Sequence, residues 1–385
     1  AAGLAAEATA LAARGDHGAA IALYEQGLIR FSNDARFINS AGNYFAKTGR
    51  DERAVDLFLR ALRTDPALLE AAINAAIVMI RLDRASEAAA LLRQYEKAGA
   101  RQPRYWSTLG NAERASGDLG AAARSHDTAL RIAPDNPSAL AGRARTSLER
   151  GEARAIADHE RALAQRPGDP QLIHDYAQAL AGAGRQSEAL ALSSALTEQL
   201  PAWLPGLILH AGLMWAGGER SGFASHFEVA ARKVPSPALF LAWSDVLAGV
   251  DRHVEAALVL ENGRLLWPDD QDLALSHAIN LGEAGDGKRA EALFAVGRRP
   301  TASWDAARAR NLLRLGDPQA AERLLAPIVA ADLTDITAWA LIDIAWRLTA
   351  NPRHIWLHGQ DGLVRQLDLA VGDLDAVRSV LADIH

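Results

Sequence analysis

The chain has 385 residues, with 41 Lys and Arg against 47 Asp and Glu, a formal net charge of −6 and no cysteine. The acidic balance argues against a general nucleic-acid-binding surface, which would be basic. The missing thiols exclude disulfides, thiolate metal sites and a cysteine nucleophile, while abundant alanine favours helix. No apolar run reaches the roughly 18 residues that a membrane helix needs. The opening AAGLAAEATALAARG lacks the basic start of a signal peptide, so a cytoplasmic protein that leaves membranes alone is expected. It also lacks an initiator Met, which reads as a trimmed or processed end.

From the N-terminus the chain repeats itself. In residues 1–34, Gly15, Ala20, Tyr24 and Gly27 take places that recur one step later. Residues 35–68 are the clearest unit. Ile38, Ala41, Gly42 and Phe45 share one face of a first helix, Gly49 marks a turn, and Ala54, Phe58 and Ala61 share one face of a second helix that Pro66 stops. Ala76, Met79, Ala88 and Leu92 repeat the pattern in 69–102, and Leu109, Gly110, Gly117, Ala122, Ala129 and Pro134 in 103–136. The step of about 34 residues then continues with slips of one residue. Gly151, Gly184, Gly218, Gly285 and Gly316 mark the later turns, and the eighth unit (Ala256, Leu260, Gly263, Pro268) shows a degenerate first helix.

These residues resemble the tetratricopeptide repeat, a helix–turn–helix unit, over roughly residues 1–330. The resemblance implies an all-α superhelical solenoid of about ten repeats, each burying its apolar face against its neighbours. It also implies that first helices line a concave wall that binds extended peptides or partner helices.

Beyond residue 330, DITAWALIDIAWRLTANPRH predicts an apolar helix that caps the array and breaks at Asn351-Pro352. WLHGQDGLVRQLDL follows, with Val364, Leu367 and Leu369 able to form a short strand, and DLDAVRSVLADIH ends as a helix. Within this cap and linker, 331–385, the stretch from Ala338 onward resembles the junction of bacterial proteins that fuse tetratricopeptide repeats to a 2-oxoglutarate/Fe(II)-dependent oxygenase. The resemblance implies a linker toward a catalytic domain absent from this chain, and Fe(II) and 2-oxoglutarate as cofactors of that domain alone. A generic terminal cap is the alternative.

No motif in the chain supports catalysis. His226/Glu228 and His253/Glu255 match the His-x-Glu of an iron site, but both pairs fall in predicted second helices, where residues two apart point in nearly opposite directions. His358 and Asp361 read as a turn pair, and His385 has no partner in view. GEAGDGKR, from Gly282 to Arg289, nearly matches a phosphate loop, but Arg289 replaces the magnesium-binding Ser or Thr and Gly285 is a repeat turn glycine. No metal ligands and no catalytic residues are assigned.

The inner positions of the first helices give the candidate peptide-binding residues Asn39, Asn43, Asn74, Arg104, Asn111, Arg145, His174 and Gln178. A side-chain amide both donates and accepts, so it can hold a peptide backbone without reading its sequence, and arginine adds carboxylate binding. A solvated polar face is the alternative. Asn43, Asn74 and Arg104 fall at positions of the carboxylate clamp of chaperone-binding tetratricopeptide domains, but Asn39 and Thr108 stand where two clamp cations would be. Trp203, Leu207, Leu209, Leu213, Trp215, Phe240 and Trp243 form an aromatic-rich zone, either core or an anchor or dimer surface. The expected function is recognition of a protein or peptide, recruiting it to the fused oxygenase. A stand-alone scaffold, or a recruiter for a sulfotransferase or glycosyltransferase, is the alternative.

Overall fold

The computed structural model describes residues 1–296 and 301–358, and among them every regular element is a helix. The chain divides into two compact units. The first, Ala1–Phe223, holds α1 (Ala2–Ala13), α2 (His17–Arg30), α3 (Ala35–Lys47), α4 (Asp51–Thr64), α5 (Leu69–Arg81), α6 (Ala85–Arg93), α7 (Glu96–Gly99), α8 (Pro103–Ala115), α9 (Leu119–Ile132), α10 (Pro137–Glu149), α11 (Ala155–Gln165), α12 (Pro170–Gly182), α13 (Gln186–Gln199) and α14 (Leu204–Ala216). The second begins at Ala224 and holds α15 (Ser225–Lys233), α16 (Pro237–Ala248), α17 (His253–Leu266), α18 (Gln271–Glu283), α19 (Gly287–Val296), α20 (Ala302–Arg314), α21 (Pro318–Ala331), α22 (Ile336–Leu348) and α23 (Arg353–His358).

The local chemistry explains the boundaries. Asp34 accepts from the Phe37 amide at 2.9 Å, and Asp16, Asp118, Asn136, Asp169, Asp270, Asp317 and Asp335 cap their helices in the same way. Proline opens α8, α10, α12, α16 and α21, where its missing N–H costs nothing. The turn inside each hairpin passes through the left-handed region. The residues that do so are Gly15, Gly49, Asp83, Gly117, Gly151, Gly184, Gly218, Asp251, Gly285, Gly316 and Ala350. Their spacing is the repeat itself.

Within each unit a first helix packs on its own second helix and on the next first helix, whereas successive second helices do not pack together in this way. Each stack therefore curves with its first helices inside. The seam is filled from the second helices by Tyr24, Phe58, Leu92, His126, His159 and Ser193 in the first unit and by Phe227, Leu260, Phe294 and Leu325 in the second, all buried. Small residues on the first helices make room. A Cβ on Gly42 would lie 2.6 Å from the Phe58 ring, and one on Gly110 would lie 2.7 Å from His126.

Four details add to the repeat pattern. The first helix of the eighth repeat, α16, is regular; Ser244 stands where other repeats carry Ala or Gly, and its hydroxyl returns to the Leu241 carbonyl at 2.8 Å. The short helix α7 was not signalled by the period. The boundary between the two compact units falls inside the seventh repeat, where residues 217–224 form a long connection and α15 has only nine residues. The repeat register also runs past residue 330. Ala350 turns at φ 54° in step with Gly316, α22 packs on α20 and α21 as a first helix does, and α23 follows as the start of a second helix. The strand expected at Val364–Leu369, the terminal helix, Asp361 and His385 lie outside the described residues.

Candidate functional site

All eight residues proposed from the sequence stand on first helices of the first unit, α3, α5, α8, α10 and α12. Their surroundings divide them.

Asn39, Asn74 and Arg104 stand on three successive first helices and bind one another. The Asn74 amide donates to Asn39 Oδ1 at 3.1 Å, and Arg104 donates to Asn74 Oδ1 at 2.8 Å and to Glu70 at 2.6 Å. Both asparagines are buried. This chain of donors and acceptors is directed into the seam between helices, so two of the three have little capacity left for a ligand.

Arg145 and His174 converge on Asp175. Arg145 Nε donates to Asp175 Oδ2 at 2.8 Å, Gln171 donates to Oδ1 at 2.8 Å, and His174 Nδ1 lies 3.1 Å from the same oxygen. Burial alone would raise the Asp175 carboxyl, but the hydrogen bonds from His174, Arg145 and Gln171 outweigh it and hold the group down at about 2. Asp175 is thus a fixed anion near neutral pH, and its two basic neighbours are already engaged.

Asn43, Asn111 and Gln178 have no hydrogen-bond partner among the described residues. Asn43 borders a cleft of about 510 Å³ between α1 and α3. His17, Tyr24, Tyr44 and Lys47 also line it, with alanines of α1 opposite. Tyr44 donates to the His17 carbonyl at 3.3 Å and stacks on Tyr24 at 4.9 Å. Its hydroxyl is raised above the usual tyrosine range, first by burial, so it stays a neutral donor. Gln178 borders a second cleft of about 370 Å³ with Arg114, Arg145 and Glu149. Sequence reasoning missed Lys47, although it stands at the last inner position of its first helix.

The other motifs are occupied by packing. Glu228 pairs with Arg232, Glu255 with Arg252, and His253 Nδ1 lies 3.0 Å from Asn280 Oδ1. In the phosphate-loop look-alike, Gly285 makes the hairpin turn and Arg289 pairs with Glu261 at 3.1 Å. Among the described residues, no three His, Cys, Asp or Glu side chains gather closely enough to hold a metal, and no helix is long and apolar enough to cross a membrane. In the aromatic-rich zone Leu207, Leu213 and Phe240 are buried, while the half-buried Trp215 packs on Phe223 under Arg220.

No family model matches the chain. The protein FlbA of Caulobacter vibrioides is 29% identical over 222 residues, covering 54% of this chain and 35% of FlbA. Cellulose synthase operon protein C of Xanthomonas axonopodis pv. citri is 33% identical over 144 residues, covering 37% of this chain and 8% of that protein. The chain thus spans about a third or less of the length of these relatives. Among solved structures, a thermophilic TPR protein of Thermus thermophilus is 24% identical, with TM-score 0.41, over 47% of this chain and 99% of that one. Pseudomonas aeruginosa PilF is 18% identical, with TM-score 0.45, over 57% of this chain and 98% of that one. Yeast Tom70 is 12% identical, with TM-score 0.39, over 92% of this chain and 96% of that one. At these scores the assignment of a tetratricopeptide-type solenoid rests on the helix packing and the turn register.

Proposed function

We propose that this chain is a recruitment module that holds an extended peptide along the inner wall of its first unit. The observation that carries the reading is the cleft between α1 and α3, where the unpaired Asn43 amide and Lys47 stand beside the neutral Tyr44 hydroxyl. Unpaired Asn111 and Gln178 continue the same wall. Such amides suit a peptide backbone, and Lys47 suits an acidic side chain on it. Affinity in the micromolar range, about −8 kcal/mol, is ordinary for an interaction of this kind. The test is a pull-down with the chain as bait, read by mass spectrometry, beside a variant carrying Asn43→Ala, Asn111→Ala and Gln178→Ala. A partner lost with the variant supports the inner wall, and a partner kept by both overturns it.

We further propose that the recruited substrate is delivered to a 2-oxoglutarate/Fe(II) oxygenase domain. Support comes from the resemblance of the tail from Ala338 onward, and iron and 2-oxoglutarate would belong to that domain rather than to residues of this chain. The sequence following His385 in the gene tests it. A strand-rich continuation with His-x-Asp supports the reading, and a stop codon or a different enzyme domain overturns it.

A further inference from the structure

A second polar pocket lies within the second unit. Helices α17, α18 and α19 line an open pocket of about 350 Å³. Its polar members are Arg264, His277, Arg289 and Glu261. Arg289 is already matched, by Glu261 at 3.1 Å and Asp286 at 3.5 Å. Arg264 is different: among the described residues no carboxylate pairs with it.

What Arg264 does instead fixes the state of His277. Arg264 Nη1 lies 3.2 Å from His277 Nδ1. A guanidinium can only donate, so Nδ1 accepts and the ring proton sits on Nε2. That Nε2 is buried and has no partner, and neither has the buried Nε of Arg264. The ring remains uncharged near neutral pH, because burial and then Arg264, with a smaller push from Arg289, outweigh the opposing charge of Glu261 and hold it down at about 4. The pair therefore combines a positive charge lacking a counter-ion with two unused donors. An unmatched charge of this kind is costly to keep partly out of water, and an arriving anion relieves it. Around the pair the walls are aliphatic, from Leu265, Leu281 and Leu293.

We propose that this pocket is a ligand site for a carboxylate borne on a branched aliphatic body. The carboxylate pairs with the Arg264 guanidinium, and the aliphatic part rests on the leucines. Two sources share this chemistry: a free short branched-chain acid, or the terminal carboxylate of a chain ending in leucine.

The experiment is titration of the intact chain, labelled with ¹⁵N-arginine, with three probes followed by NMR on the guanidinium Nε–H signals. 4-Methylpentanoate stands for the free acid, N-acetyl-leucine for the chain end, and 4-methylpentanamide for the uncharged control. The expected result is a saturable shift of the Arg264 signal with at least one acid, the tighter of the two naming the source. The amide should bind at least tenfold more weakly. Arg264→Lys keeps a cation but loses the planar fork, and should weaken the acid about fivefold or more. Arg264→Gln should abolish binding, with circular dichroism reporting that the variant is folded. Calorimetry supplies the affinities of both variants. The proposal is overturned if neither acid saturates by about 10 mM, if the amide binds as well as the acids, or if Arg264→Lys binds them unchanged.

Discussion

Asn74 donates to Asn39 at 3.1 Å across two neighbouring first helices, and both side chains are buried. An asparagine at an inner position of a solenoid is therefore not always part of its binding wall. The pair acts as a rung, and Arg104 completes it from the third helix at 2.8 Å.

Removing the rung should cost stability, while removing its accessible neighbour should not. Asn74→Ala strands Asn39 Oδ1 and one arm of Arg104, and the expected loss is about 1–3 kcal/mol. Asn43→Ala touches no internal partner and should stay within about 0.5 kcal/mol of the parent. Urea unfolding followed by tryptophan emission compares them. Equal stabilities would show that the rung contributes nothing and would return Asn74 to the candidate binding residues.

The same contrast explains what the sequence made legible. The repeat step, the hairpins and the apolar seam follow from small and apolar residues at fixed spacing, and the turn glycines at Gly15, Gly49 and Gly117 fall where the period puts them. The site was legible only as a set of inner positions. A side chain at the edge of the inner face can point into the cleft, as Asn43 does, or into the seam, as Asn39 does, and periodicity does not separate them. The Arg264–His277 pair had no signal at all, since its residues come from two helices and neither belongs to a motif. The eleventh turn was hidden because alanine, rather than glycine, occupies it.

That alanine makes a stability prediction. Ala350 adopts φ 54°, and Asp251 in the same unit adopts φ 61°. A Cβ in the left-handed region costs about 1–2 kcal/mol, although Asp tolerates it better than Ala. Replacement by Gly removes the strain and returns part of the gain as unfolded-chain entropy. Ala350→Gly should therefore stabilise by about 0.5–1 kcal/mol, and Asp251→Gly by less. Gly316→Ala, at the preceding turn, should destabilise by about 1 kcal/mol. Thermal melts of the three variants decide it. A lowered midpoint for Ala350→Gly would mean that residue 350 does not hold the repeat turn.

The last prediction concerns acid. His126 occupies the seam position that Phe58 and Leu92 fill in earlier repeats, wholly buried, with neither ring nitrogen hydrogen-bonded. Gly110 and Gly142 leave the space it needs, and a Cβ on Gly142 would fall 2.2 Å from its ring. Burial, and then Arg114 and Arg143, push it down to about 3, so the folded chain keeps the ring neutral. The unfolded chain takes up the proton near the ordinary value of about 6.5. The sign follows: stability is full above about pH 6.5 and falls as pH drops toward 3, by about 1.4 kcal/mol per pH unit from this residue. His159, one repeat on, is also lowered, first by burial, and acts in the same direction. Between pH 7 and pH 5 the loss due to His126 alone is about 2 kcal/mol. His126→Leu restores the residue type of Leu92 and removes two unsatisfied nitrogens. The variant should match or exceed the parent at pH 7, and its advantage should widen by about 2 kcal/mol at pH 5. Urea midpoints at the two pH values measure the difference directly, free of the carboxylates that titrate in both proteins. Parallel pH profiles for parent and variant would mean that the seam around His126 opens to water and admits the proton.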